Sequence, residues 1–195
     1  MKKYLILFTI LMTGCQPLID NRNSTGTTVV CFGDSLTAGF GAAIGQDYPS
    51  LLREKINLPV INAGISGNTT GDALVRLDQD VLTHDPKLVI ITLGANDYFH
   101  GMPKEETLAN MTKIIERIKE HGAMVAWAEV QMGILGDPYI EDFTTLANRE
   151  HILLIPNILR SIIDNPELKH DQIHPNAAGY KIMAERIYQH IKSLL

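Results

Sequence analysis

Short apolar, β-branched runs alternate along the chain with longer stretches whose apolar positions recur every three or four residues. The short runs, at residues 28–32, 60–63, 88–93, 124–130 and 151–155, are bounded by turn-forming residues and predict five β-strands. Between the third and fourth, Leu108, Met111, Ile114, Ile115 and Ile118 trace one face of a helix. Pro103 suits its first turn and Gly122 its end. Tyr180, Met183, Ile187, Ile191 and Leu194 form a second stripe on the last helix, and both stripes predict core.

Strands that alternate with helices imply a parallel sheet covered on both faces, because right-handed crossovers place the helices there. In such a sheet, ligands bind at the carboxyl ends of the strands. The segments just beyond the strands are therefore informative: Gly33-Asp34-Ser35 after the first, Ile65-Ser66-Gly67-Asn68 after the second and Gly94-Ala95-Asn96-Asp97 after the third. Three polar, glycine-bearing loops converge on one rim.

The first residues do not belong to this pattern. Lys2 and Lys3 precede nine mostly apolar residues, Tyr4 to Met12, and the sequence then reads Thr13-Gly14-Cys15. That is the form of a secretory signal peptide, and the apolar run falls short of the roughly 20 residues a membrane-spanning helix needs. Leu11 to Cys15 resembles the bacterial lipoprotein cleavage box, with Met12 where that box usually has leucine. The resemblance implies a signal peptide over residues 1–14, lipid on Cys15, and a lipid-anchored tether over residues 15–27, which are polar and turn-rich. Gln16 after the cysteine points to the outer membrane, facing the periplasm, as the anchored location in a bacterial envelope. The folded body would then span residues 28–195.

With 195 residues, 45% hydrophobic and 20% charged, the chain suits one globular domain. Cys15 and Cys31 are the only cysteines, so a lipid-bearing Cys15 leaves Cys31 without a disulfide partner, as a small core residue in the first strand. Removal of residues 1–14 takes two lysines and no acids, leaving 15 basic against 22 acidic residues, a formal charge of −7. A net negative body without a basic cluster argues against nucleic acid as a partner.

A serine hydroxyl needs a base to become a nucleophile, and the base needs an orienting group. Of the seven histidines, His174 stands out, in "HDQIHPNAAGY" with Asp171 three residues before it. On a tight loop that spacing lets the carboxylate reach Nδ1 and leaves Nε2 to take the Ser35 proton. His170 is adjacent and is not excluded by spacing; His84, His100, His121, His151 and His190 read as surface or loop residues. An oxyanion formed during acyl transfer needs donors at fixed positions; the Gly67 backbone and the Asn96 side-chain amide can supply them.

The blocks "GDSLTAG" (33–39), "NAGISGNTT" (62–70), "GAND" (94–97) and "DQIHP" (171–175), in that order, closely resemble the SGNH, or GDSL, hydrolases. The nearest group is the bacterial thioesterase I, protease I and lysophospholipase L1 enzymes with related arylesterases. The resemblance covers nearly all of residues 28–195. It implies an α/β fold, a flavodoxin-like three-layer sandwich on a five-stranded parallel sheet. It implies Ser35 as nucleophile, Asp171 and His174 as its partners, and the Ser35 N–H, Gly67 N–H and Asn96 side chain as oxyanion hole. No cofactor and no metal are implied, and the substrates expected are esters, thioesters or lysophospholipids.

Two departures bear on substrate. After the fourth strand, where the group often carries a Pro-rich, Asn-Tyr-Gly type loop, this chain has "EVQMGILGDPY" (129–139), and Gln172 stands where glycine is frequent. Ile65, Phe99, Met132, Ile134 and Leu135, in or near the rim loops, are candidates for an acyl pocket that favours a medium chain over acetyl.

Competing readings fit less well. An α/β-hydrolase elbow would need glycine at 37, where Thr37 stands; a metal-dependent hydrolase would need a His-x-x-x-His pair or a His/Cys cluster; in a phosphate-binding loop Asp34 would repel the ligand. An O-acetyl deacetylase of envelope polysaccharide would use the same triad, and a non-catalytic envelope lipoprotein binding lipid or glycan would have no need of it.

Overall fold

The computed structural model describes residues 18–131 and 139–195. Five parallel strands, β1 (Thr28–Gly33), β2 (Val60–Gly64), β3 (Pro86–Thr92), β4 (Met124–Ala128) and β5 (Leu153–Ile155), form one sheet in the order β2-β1-β3-β4-β5. Among the described residues the helices are α1 (Ser35–Ala38), α2 (Tyr48–Arg53), α3 (Thr70–Asp80), α4 (Ala95–Phe99), α5 (Lys104–Glu120), α6 (Ile140–Arg149) and α7 (Ala177–Ile191). This is the flavodoxin-like α/β sandwich that the alternation of elements predicts.

Alternation along β1 builds two cores. Val29 and Cys31 point to the layer of α2 and α7, where Leu52, Met183 and Ile187 are buried. Val30 and Phe32 point to the layer of α3, α5 and α6, against Leu77, Ile114 and Phe143. Full burial of a side chain such as Ile114 or Ile187 contributes about 1.5–3 kcal/mol, so the two stripes read from the sequence clamp both faces of the sheet. Cys31 is buried and unpaired, and burial pushes its thiol pKa up, which makes it a core residue.

Element ends differ from the sequence pattern for local reasons. His151 has φ 50°, a left-handed conformation that breaks a strand, so β5 starts at Leu153. β4 stops at Ala128, although the Glu129 N–H still donates to the Ile155 carbonyl at 2.9 Å. Pro103 caps α5 rather than opening its first turn, and Gly122 ends that helix with φ +89°.

Residues 20–27 lie against the base of the body, at the amino ends of the strands. The Asp20 N–H donates to the His151 carbonyl at 3.0 Å, and Asn21 Nδ2 donates to the carbonyls of Lys119 and Ala123 at 2.8 and 3.0 Å. Among the described residues no helix is long and apolar enough to cross a membrane.

From β1 the chain crosses outward to β2 and then back past β1 to β3. Connections leave the carboxyl ends of β1 and β3 in opposite directions, and a crevice opens between them.

Candidate active site

Ser35 is the first residue of α1, directly beyond the end of β1. Asp34 turns the strand into the helix: its Oδ1 accepts from the Leu36 N–H at 3.0 Å and caps α1. The turn is tight enough to demand glycine at 33, where a Cβ would lie 2.2 Å from Thr37 Oγ1 and 2.5 Å from the Thr92 carbonyl oxygen. Burial pushes the Asp34 carboxyl up to about 7; the Leu36 N–H opposes the shift and the charge of Asp97 adds to it.

His174 reaches Ser35 from the loop before α7. Its Nε2 is 2.9 Å from Ser35 Oγ, and its Nδ1 is 2.8 Å from Asp171 Oδ2 and 3.0 Å from Oδ1. The loop holds itself in shape: Asp171 Oδ1 accepts from the N–H groups of Ile173 and His174, both at 2.9 Å, and the His170 N–H donates to the His174 carbonyl at 2.8 Å. Partial burial pushes the Asp171 carboxyl up, but the hydrogen bonds from Ile173 and His174 outweigh it and hold the carboxyl at about 2. An ionised Asp171 keeps the Nδ1 proton in place and Nε2 free to accept from the serine.

The structure decides between the two adjacent histidines. His170 is exposed and packs edge-on against Phe40, with 5.7 Å between ring centres, whereas the His174 ring lies 4.6 Å from Phe40 and faces Ser35. His84, His100, His121, His151 and His190 are all exposed.

Asn96 sits in the first turn of α4 with its carboxamide beside Ser35 on the same cavity wall. Its Nδ2 donates to the Asn68 carbonyl at 2.9 Å and makes a longer contact of 3.4 Å with Asp34 Oδ2. Gly67 has φ +83°, and nothing lies within 4 Å of where its Cβ would be, so the glycine is required by backbone conformation in an open loop. Among the described residues the N–H groups of Ser35 and Gly67 have no hydrogen-bond partner. A serine and a base with its orienting carboxylate thus meet beside the Asn96 carboxamide, an arrangement able to move a proton from Oγ to Nε2.

Beside this point lies a cavity of about 370 Å³, walled largely by Tyr98, Phe99, Val130, Leu159, Ile163 and Ile173. Phe99 is there as expected. Ile65 does not line this cavity; its half-exposed side chain lies beyond the end of β2. Met132, Ile134 and Leu135 lie outside the described residues, as does Cys15. Leu159 and Ile163 gave no sequence signal, because they come after β5 in an irregular stretch without a motif; Tyr98 and Ile173 stand next to motif residues, and that adjacency was the available clue.

The sequence model of the GDSL-like lipase/acylhydrolase family matches residues 31–182. The chain is 34% identical over 174 residues to an arylesterase of Vibrio mimicus, covering 84% of this chain and 87% of the relative. It is 27% identical to thioesterase 1/protease 1/lysophospholipase L1 of Escherichia coli K12, covering 97% of this chain and 91% of that protein. Among solved structures, the psychrotrophic esterase EstA of Pseudoalteromonas, inhibited by monoethylphosphonate, superposes with a TM-score of 0.78 at 29% identity, over 86% of this chain and 97% of that one.

Proposed function

The chain belongs to the GDSL-like lipase/acylhydrolase family and is a carboxylic ester hydrolase, and we propose that it works through an acyl-enzyme on Ser35, with His174 as base and Asp171 as its orienting carboxylate. Ser35 Oγ attacks the ester carbonyl carbon while His174 Nε2 takes its proton. The carbonyl oxygen, now negative, is met by the N–H groups of Ser35 and Gly67 and by the Asn96 amide. Of the two Asn96 amide hydrogens, one is held by the Asn68 carbonyl at 2.9 Å; the other makes only the long 3.4 Å contact with Asp34 Oδ2 and is the one that turns to the oxyanion. Collapse expels the alcohol or thiol, which leaves with the proton from His174; a water activated by the same imidazole then releases the acid.

The observation that carries this is the continuous relay from Ser35 Oγ to His174 at 2.9 Å and on to Asp171 at 2.8 Å, opening on the apolar cavity. An apolar wall of this kind favours a medium acyl chain, each buried methylene contributing about 0.8 kcal/mol. The substrates proposed are esters, thioesters or lysophospholipids, in keeping with relatives named arylesterase and thioesterase/lysophospholipase. Residues 18–195, which keep the contacts of Asp20 and Asn21 with the body, should be assayed on acetyl, butyryl, octanoyl and palmitoyl esters, a lysophospholipid, an acyl thioester and an acetylated glycan. A rate maximum at intermediate chain length is expected; strict preference for acetyl would make the protein a deacetylase instead.

We further propose that the enzyme is exported and held in the bacterial envelope through lipid on Cys15, on the strength of Lys2, Lys3, the short apolar run and the cleavage-box resemblance. Wild type should partition with membranes and Cys15→Ser should not; soluble, unlipidated wild type from cells competent for lipoprotein processing would refute the anchor.

A further inference from the structure

Arg76, midway along α3, lies in none of the four sequence blocks, yet its guanidinium joins the ends of two strands to the loop that carries Gly67. Nη2 donates to the Gly33 carbonyl at the end of β1, and Nη1 to the Ala63 carbonyl in β2, each at 2.9 Å. Nε donates to Asn68 Oδ1 at 2.6 Å, and Nη1 is also paired with Asp80 at 2.9 Å. The guanidinium rests over the Phe32 ring, 4.5 Å from its centre, and the side chain is 13% exposed. Asn68 is the hinge of the network, since its backbone carbonyl is the acceptor that holds Asn96 Nδ2 at 2.9 Å.

The loop around Gly67 has little else to fix it. No atom lies within 4 Å of the Gly67 Cβ position, and residues 65–67 are exposed. Its other ties include the Ile65 N–H to the Gly33 carbonyl at 3.0 Å, a turn from the Asn68 N–H to the Ile65 carbonyl at 3.2 Å, the capping box of Thr69 and Asp72 at the start of α3, and, beyond the loop, the Thr70 N–H and hydroxyl, which donate to the Asp97 carboxylate.

We propose that Arg76 is a positioning residue for the oxyanion hole: through Asn68 it sets the Gly67 N–H and the Asn96 amide at a fixed distance from Ser35. The proposal rests on the acyl-enzyme reading above. Arginine suits the task because its planar fork points donors in three directions at once, whereas a lysine ammonium on a flexible stem keeps the charge and loses the fork. Donors preset at the oxyanion act on the transition state more than on bound substrate, so their misplacement lowers kcat and leaves KM nearly unchanged.

The test uses Arg76→Lys, Asn68→Ala and the double variant, with Asp78→Ala as a control on the same helix that only removes the surface ion pair with Arg117. Each is measured for kcat, KM, melting temperature and the rate of Ser35 labelling by a phosphonate, which builds the same charged oxygen. Arg76→Lys and Asn68→Ala should each lower kcat about ten- to a hundredfold with KM within about threefold, and labelling should slow in parallel. The double variant should be little worse than either single one, since both cut the same link. Asp78→Ala should keep wild-type kcat. The proposal is overturned if folded Arg76→Lys and Asn68→Ala keep kcat within about threefold of wild type, if their effects simply multiply, or if Asp78→Ala shows the same loss. Should Arg76→Lys fail to fold, Asn68→Ala alone decides by the same kcat criterion. Ser35→Ala is run alongside: activity retained there would sink the acyl-enzyme reading itself, an outcome distinct from all of these.

Discussion

Asn96→Ala separates catalytic from structural loss, because the side chain has one bond of each kind. Its structural bond is the donation to the Asn68 carbonyl at 2.9 Å; the 3.4 Å contact with Asp34 is too long to add much. Losing one such bond costs about 0.5–1.5 kcal/mol, and the half-buried Asn68 carbonyl can turn partly to water, so the lower part of that range applies. For a domain of this size, that amounts to a fall in melting temperature of roughly 1–4 °C. The catalytic loss is far larger: one oxyanion donor is worth roughly 10² to 10³ in kcat, or about 2.7–4 kcal/mol. Ser35, His174 and Asp171 remain in place, so slow phosphonate labelling of Ser35 persists. The assay is kcat and KM on an octanoyl ester, labelling followed by intact mass, and a melting curve. A fall in kcat of less than about tenfold in a folded variant would refute the role given to Asn96. So would a rise in KM with kcat unchanged, since that pattern belongs to ground-state binding.

Asp171→Asn should lower kcat by roughly 10² to 10⁴ by losing the orientation of His174; the variant should still fold, because Asn can accept from the Ile173 and His174 N–H groups, with a lower melting temperature at neutral pH because the carboxylate charge is gone. The Asp171 carboxyl, held at about 2 against an ordinary value of 3.8, contributes stability that is present above about pH 4 and lost as pH falls toward 2, which acid unfolding of wild type against Asp171→Asn would detect. Asp34 has the opposite sign: with its folded pKa raised to about 7, the native state holds the proton more tightly than the unfolded chain, so stability falls as pH rises from about 4 to 7 and then levels. Asp34→Asn keeps an acceptor for the Leu36 N–H and should flatten that slope in urea unfolding between about pH 4.5 and 8; an unchanged slope would contradict the buried-carboxyl account.

The fold was legible where local pattern and tertiary role coincide. Residues 88–93 read as a strand because β3 lies at the centre of the sheet and is apolar on both faces, and Met111, Ile114, Ile115 and Ile118 read as a helix because their stripe is the buried face of α5. The strand ends were less legible, since His151 takes a left-handed turn that no propensity signals. The relay was legible because Asp171 and His174 share one short loop and Ser35 ends a strand. Spacing alone left His170 open beside His174, and the family resemblance pointed to His174; the contact of Phe40 with the imidazole ring needed the structure. Arg76 could not have been found by pattern: α3 presents it as one more charged position, and only the crossover from β2 brings it under the Gly33 and Ala63 carbonyls. Ile65 shows the converse, an apolar residue beside a motif that stands away from the cavity it was expected to line.

The central claim is that Ser35 carries the acyl group, and labelling tests it most directly. Wild-type protein treated with a phosphonate should gain the mass of one adduct, located on Ser35 by peptide mapping, and lose ester hydrolysis in step with labelling. Ser35→Ala should take up no label and show no turnover on any ester. Hydrolysis retained by Ser35→Ala, or an adduct that maps to another residue while activity disappears, would contradict the account.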